Sequence, residues 1–211
     1  MRKILKKNQV IINSREVGKT TYLYKIIEQS IICNTNVILL DSATDHEEKS
    51  LLKRVIANYK NSVLIENHDE RKIATQTQLD SGELIFDFPY NKIMTNIGKI
   101  ICFDLSYFLE KGHEAFDLTG DQSGYEYYRG LYRRMSQQIL STLIALDEKG
   151  IIENTIVVTD EIEFPIVKFD PTILQRDLRF FSSVHPENSF GTFYESCEIL
   201  DFVPYQKRKE I

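Results

Sequence analysis

The residues with the clearest chemical meaning follow the first apolar run of the chain. Residues 10–21 read Val-Ile-Ile-Asn-Ser-Arg-Glu-Val-Gly-Lys-Thr-Thr. Gly18, Lys19 and Thr20 match the end of the phosphate-loop pattern G-x-x-x-x-G-K-[ST], which lies between a strand and a helix. In such a loop the backbone N–H groups at the start of the helix point at an anion. Lys19 would reach the β- and γ-phosphates of a nucleotide, and the Thr20 hydroxyl would help to hold Mg²⁺.

Asn13 stands where this pattern has its first glycine. Asparagine adopts left-handed backbone conformations more readily than most residues, so the loop can still form. The alternative interpretation is a Gly-Lys-Thr turn that only caps a helix. On the first interpretation, the nucleotide-binding segment consists of Asn13, Ser14, Arg15, Glu16, Val17, Gly18, Lys19, Thr20 and Thr21.

Two adjacent carboxylates end a later apolar run, in which residues 155–161 read Thr-Ile-Val-Val-Thr-Asp-Glu. In proteins with such a phosphate loop the first carboxylate of a pair like this holds the metal ion's water, and the second polarises the attacking water. Asp160 and Glu161 resemble that pair, and at the mouth of a parallel strand both would face the nucleotide. The alternative is an ordinary strand with an acidic end. Because the loop and the acidic pair occur in this order, about 140 residues apart, together they predict a nucleotide-hydrolysing protein that uses ATP and Mg²⁺.

The elements that must position these residues are short apolar runs separated by helical patterns. Most of the runs are continuously apolar, which indicates strands buried on both faces, as in a parallel sheet covered by helices. The predicted strands are Gln9–Asn13, Asn36–Asp41, Ser62–Glu66, Lys99–Leu105, Thr155–Glu161, Arg179–Val184 and Cys197–Val203. The predicted fold is therefore α/β, with a mainly parallel β-sheet and helices on both of its faces.

Apolar residues spaced three and four apart predict helices over Lys19–Ser30, His46–Tyr59 and about Tyr125–Lys149. The polar stretches Asn67–Gln78 and Glu110–Gly124 are predicted to be surface loops, so that insertions lie near 67–80 and 110–124. In the segment before the second helix, Asp41 or Asp45 could face the nucleotide. We prefer the interpretation that Thr44 or Asp45 caps that helix.

The composition narrows the classes of protein to consider. The chain has 211 residues, which predicts a single domain over 1–211, and a net charge of −5, which excludes a general basic field for DNA. Cys33, Cys102 and Cys197 form no disulfide framework and no cysteine-based zinc motif. Since no apolar stretch is long enough to span a bilayer, we predict a cytoplasmic protein without membrane insertion.

On these motifs the sequence resembles P-loop ATPases of the additional-strand, catalytic-glutamate division. Within it the chain is most similar to the HerA/FtsK group of DNA-pumping and packaging motors. Motor and helicase-like ATPases carry a glutamate after the metal-binding aspartate, as Glu161 follows Asp160, whereas kinases and GTPases generally lack it. Gly98–Ser106 resembles a strand ending in Asp-Leu-Ser, and Phe180–Pro186 resembles the strand that senses the γ-phosphate.

The resemblance implies further residues and partners. Ser182, Ser183 and His185 compete for the sensor position, and His185 is assigned to the nucleotide. A ring of subunits would supply an arginine in trans, for which Arg176 and Arg179 are the leading candidates. DNA would contact basic ends and arginines of the long helix. The alternative, which we prefer for each of them taken alone, is a solvated surface. These residues are Arg2, Lys3, Lys6, Lys7, Arg129, Arg133, Arg134, Lys207, Arg208 and Lys209.

Three functions remain open from the sequence. The first is an oligomeric, ATP-driven DNA motor. The second is a small-molecule phosphotransferase of the nucleoside-kinase kind, in which Glu110–Gly124 would form a lid. The third is an ATP-gated interaction module without hydrolysis, which the missing first glycine of the loop suggests.

Overall fold

The computed structural model describes residues 9–12, 18–43, 50–81, 85–120, 122–160, 178–184 and 198–201. Its seven strands form one sheet in the order β3-β4-β2-β5-β6-β1-β7, and every neighbouring pair is parallel. The strands are β1 (Gln9–Ile12), β2 (Asn36–Asp41), β3 (Ser62–Glu66), β4 (Ile100–Asp104), β5 (Thr155–Asp160), β6 (Arg179–Val184) and β7 (Glu198–Asp201). The prediction of an α/β protein with a parallel sheet is confirmed.

The described helices connect these strands, as parallel pairing requires. They are α1 (Lys19–Ile32), α2 (Leu51–Asn58), α3 (Gln76–Asp80), α4 (Asp87–Met94), α5 (Ser106–Thr119) and α6 (Gln122–Glu148), with a 3-10 turn at Glu70–Lys72. None of the described helices is long and apolar enough to cross a membrane.

Alternate residues of each central strand enter two separate apolar cores, one on each face of the sheet. On β2, Ile38 and Leu40 pack with α4, α5 and α6, whereas Val37 and Leu39 pack with α1 and α2. Both faces of a strand are therefore buried, which explains why its sequence is continuously apolar instead of alternating.

The stretch from Glu110 to Gly124 was predicted to be a loop, and this prediction is wrong, because it forms most of α5 and the start of α6. Its glycines have helical roles. Gly112 lies where α5 and α6 approach, since a Cβ there would lie 3.4 Å from atoms of both Tyr125 and Tyr128. Gly120 ends α5 with a φ of 64°, a left-handed conformation that glycine adopts without strain.

The segment Asn67–Gln78 was also predicted to be a surface loop, and it is only partly one. It contains the 3-10 turn and the start of α3, and it buries Ile73 and Ala74. The predicted helix His46–Tyr59 begins later, at Leu51, because the Ser50 side chain accepts a hydrogen bond from Lys53 N and caps it. Thr44, Asp45 and His46 lie outside the described residues.

The long helix α6 extends beyond the sheet. Its 27 residues span about 40 Å, whereas the six residues of β5 span about 20 Å. Because α6 leads into the amino end of β5, its own N-terminal part lies toward the carboxyl edge of the sheet. Its buried side chains run from Leu131 to Leu146, and none of its first nine residues is fully buried.

Candidate functional site

The start of α1 has the backbone that the phosphate-loop pattern calls for. Gly18 is the N-cap of α1 with φ 80° and ψ 20°, a left-handed conformation that explains why glycine stands there. Its carbonyl accepts the first helical hydrogen bond, from Tyr22 N at 2.9 Å. Lys19, the first residue of the helix, is 6% exposed, and Thr20 beside it is half-buried. Burying a charged lysine costs solvation free energy, so polar groups around it must compensate for the lost water.

A row of four carboxylates ends four adjacent strands of the sheet. Asp160 of β5 is in register with Asp41 of β2, Asp41 with Asp104 of β4, and Asp104 with Glu66 of β3. Neighbouring strands are about 4.8 Å apart, so the row spans about 15 Å. Because side chains alternate along a strand, all four residues lie on the side of the sheet that α1 and α2 cover. Lys19, the first residue of α1, is on the same side.

Asp41 is the most constrained member of this row. It is 2% exposed, and its two oxygens accept hydrogen bonds from Ala43 N and Leu52 N, each at 2.8 Å. Burial raises its pKa to about 7, and the charges of Asp160 and, more weakly, Asp104 add to the rise, against the two hydrogen bonds. The raised pKa favours the protonated form of Asp41, which limits the repulsion within the row.

Asp160 lies at the end of a strand that is buried along its whole length. It is 4% exposed, and the preceding Thr159 donates a hydrogen bond from Oγ1 to the Ser182 hydroxyl of β6 at 2.7 Å. Thr159 and Ser182 face each other in the ladder. This bond joins the strand of the acidic pair to the predicted sensor strand directly beneath the carboxyl edge.

A cavity of about 280 Å³ opens beside the acidic row, at the ends of β2, β3 and β4. Asp41, Glu66 and Asp104 line it, and the stacked rings of His68 and Tyr107, with centroids 4.2 Å apart, form part of its wall. Asp104 accepts a hydrogen bond from Ser106 N at 2.9 Å, which fixes the start of α5 at the rim. The cavity can hold a small polar molecule next to the acidic row.

The structure places the predicted site residues at different positions. Lys19, Thr20 and Asp160 belong to the carboxyl edge of the sheet, whereas Thr21 is exposed on α1. Arg179 begins β6, opposite Ile156, and therefore lies at the amino edge of the sheet. Arg179 could therefore contact a nucleotide only if the amino edge of one subunit's sheet lay at the nucleotide site of a neighbouring subunit. Outside the described residues lie Asn13, Ser14, Arg15, Glu16, Val17, Glu161, Arg176 and His185.

The acidic row is the feature that sequence reasoning did not assemble. Asp41 was one of two candidates to face the nucleotide, while Asp104 and Glu66 were given no role. Each of them is the last residue of an apolar run, as Asp160 is. This shared position at the end of a strand could have predicted that the carboxylates lie at one edge of the sheet. The sequence did not give the order of the strands, which brings β3, β4, β2 and β5 side by side.

The described residues are of the types that bind ATP with Mg²⁺. A buried lysine and a hydroxyl follow a left-handed glycine at a helix N-terminus, and a buried aspartate ends a strand at the same edge of the sheet. Within the described part of the chain, no three His, Cys, Asp or Glu side chains are grouped to hold a metal ion by themselves. A magnesium site here would therefore need ligand oxygens from the nucleotide and from water, as is usual for this ion.

No protein-family model matches the chain, and no curated protein matches its sequence.

Proposed function

We propose that this protein binds ATP with Mg²⁺ at the carboxyl edge of β1 and β5 and hydrolyses it. The observation that carries the proposal is the left-handed Gly18, which opens α1 after β1 and puts the buried Lys19 at that edge. The order of the strands supports it. β6 lies between β1 and β5, which is the arrangement after which the additional-strand division is named.

Each residue has a part in this reaction. Lys19 and the N–H groups at the start of α1 would bind the phosphates, and the Thr20 hydroxyl and Asp160 would hold the metal. Bound Mg²⁺ neutralises charge that develops on the transferred phosphoryl group. Glu161 would accept a proton from the attacking water, and a residue after β6, His185 in the assignment above, would contact the γ-phosphate.

A pair of variants tests the assignment. Glu161→Gln should bind ATP with wild-type affinity and hydrolyse it about 10²- to 10⁴-fold more slowly, because the general base is lost. Lys19→Gln should lose ATP affinity, and Lys25→Gln, an exposed lysine of the same helix, should behave as wild type. Affinity is measured by calorimetry and turnover by phosphate release. Normal turnover by Glu161→Gln would refute the assignment of the base.

The broader proposal is a subunit of a DNA translocation or packaging motor that assembles as a ring. The resemblance to the HerA/FtsK group supports it, and the net charge of −5 requires that several subunits combine their basic residues on the DNA. ATP turnover should then increase with double- or single-stranded DNA, and the mass in solution should exceed that of one chain. A monomer whose turnover ignores DNA would contradict the motor.

A second candidate is a small-molecule phosphotransferase, which the 280 Å³ cavity beside the acidic row favours. An acceptor in this cavity would lie beside Asp41, Glu66 and Asp104, whose carboxylates would orient its hydroxyl or amino groups. ATP consumption that requires a small acceptor and ignores DNA would select this function. Tight ATP binding with no turnover under any of these conditions would select the ATP-gated interaction module.

A further inference from the structure

A second cavity, of about 510 Å³, opens among the 3-10 turn Glu70–Lys72, α3, α4 and α6. Its volume lies within the range of about 300–1,000 Å³ that is typical of small-molecule sites. None of the described residues of the acidic row or the start of α1 lines it. It is therefore distinct from the candidate nucleotide site.

The two walls of this cavity are held by the side chain of Gln138, which is 2% exposed on α6. Its Oε1 accepts a hydrogen bond from Ala74 N at 2.7 Å, and its Nε2 donates to the carbonyls of Lys72, at 2.9 Å, and Phe88. Ala74 and Lys72 belong to one wall and Phe88 to the other. Because one buried amide bonds the backbone of both, the gap between the walls is set without a ligand, as in preformed sites.

The lining combines an apolar wall with positive charge. Phe86, which is 7% exposed, and the half-buried Phe88 provide aromatic surface. Lys72 and Lys92 are exposed at the cavity, and neither forms an ion pair with a described carboxylate. The pattern suits a ligand with an aromatic part and a negatively charged part.

Among the described residues, the remaining charged groups of the lining are Arg71 and Asp87. Arg71 is held by both oxygens of Asp69, at 2.9 and 3.1 Å, so its charge is compensated within the chain. Asp87 contributes one negative charge to the lining, whereas Lys72 and Lys92 contribute two positive charges. In a protein with a net charge of −5, this cavity is a local positive site, and a dianion gains more from two ammonium groups than a monoanion does.

We propose that this cavity binds a small aromatic phosphate ester. The phosphate group contacts the ammonium groups of Lys72 and Lys92, and the ring packs against Phe86 and Phe88. The site is separate from the proposed ATPase activity and does not depend on it.

Phenyl phosphate is the probe for this site, with binding followed by ligand-detected NMR and calorimetry. The measurements use the Lys19→Gln protein, so that the candidate phosphate loop does not contribute. Circular dichroism first verifies that this variant is folded. We expect saturable binding of one phenyl phosphate per chain. Inorganic phosphate should bind at least about fivefold more weakly, because it lacks the ring that the apolar wall covers.

Variants in the same background locate the bound probe. Lys72→Gln combined with Lys92→Gln should weaken binding at least about tenfold, since two charge-assisted contacts are lost. Asn91→Glu, which adds a negative charge to the lining, should also weaken it. Lys25→Gln removes the same charge from a distant exposed position and should leave binding unchanged.

Three outcomes would overturn the proposal. They are the absence of saturable binding, equal affinity for phenyl phosphate and inorganic phosphate, and equal weakening by the Lys25 variant and the paired lysine variants. Each of them is independent of ATP hydrolysis, so failure here would leave the proposed ATPase untouched.

Discussion

At the scale of single residues, the least expected feature is a buried aspartate that keeps its proton near neutrality. The pKa of Asp41 rises to about 7 because the side chain is buried and Asp160 stands beside it in the ladder. In the unfolded chain the same carboxyl titrates near its ordinary value of 3.8. Between these two values the folded state binds more protons than the unfolded state, so the free energy of unfolding must decrease as the pH rises.

Asp41→Asn tests this linkage. The wild-type protein should lose stability between about pH 4 and about pH 7, by on the order of 2–4 kcal/mol relative to the variant. Urea unfolding at a series of pH values, with EDTA present to exclude metal ions, gives the slopes. Asp117→Asn, which removes an exposed carboxylate of α5, is the control and should keep the wild-type slope. Parallel curves for wild type and Asp41→Asn would show that Asp41 titrates normally.

At the scale of elements, α5 and α6 contact each other at Gly112. A Cβ at Gly112 would lie 3.4 Å from Tyr125 and Tyr128 atoms, whereas a Cβ at Gly130, on α6 itself, would meet nothing within 4 Å. The two glycines therefore have different reasons to be present. Gly112 lies in the contact between the two helices. Gly130 does not, so a residue with a higher helix propensity there would stabilise α6.

Substitutions at these glycines should have opposite effects. Gly112→Leu should lower the free energy of unfolding by about 2 kcal/mol or more, because the larger side chain separates α5 from α6. Gly130→Ala should raise it by about 1 kcal/mol, the usual difference in helix propensity. Chemical denaturation measures both. If Gly112→Leu were as stable as the wild type, the helices would not pack as closely as described.

At the scale of the whole molecule, burial is greatest in the sheet and decreases toward the N-terminus of α6. The strands β2 and β5 are central, and β5 is buried at every position. On α6 the buried side chains begin only at Leu131, while Phe116 and Tyr127 of the hairpin are 46% and 52% exposed. Local opening costs least where few apolar contacts are lost.

Hydrogen exchange should therefore divide α6 in two. Amides of residues 122–130 should exchange well before those of residues 131–146, although both belong to one continuous helix. Mass spectrometry of peptic fragments resolves the two parts, and β5 serves as the protected reference. Uniform protection along α6 would mean that something else covers its N-terminal part, such as a second subunit, and repeating the experiment at low protein concentration distinguishes that case.

The sequence by itself determined the local elements, because their patterns are local. Continuous apolar runs predicted all seven strands to within about two residues, and Gly18-Lys19 predicted the helix start that the structure shows. The hairpin was missed because Gly112 and Gly120 indicate a loop when read along the chain. In the fold, one permits helix contact and the other ends a helix.

Only the tertiary structure decided which residues meet. The order β3-β4-β2-β5 aligns Glu66, Asp104, Asp41 and Asp160 in one row, although the two outer members are nearly a hundred residues apart. Gln138 likewise joins two walls that lie 50 to 66 residues before it. Strand order and register arise from contacts between distant segments, which are decided by the burial of whole faces. No local pattern records them.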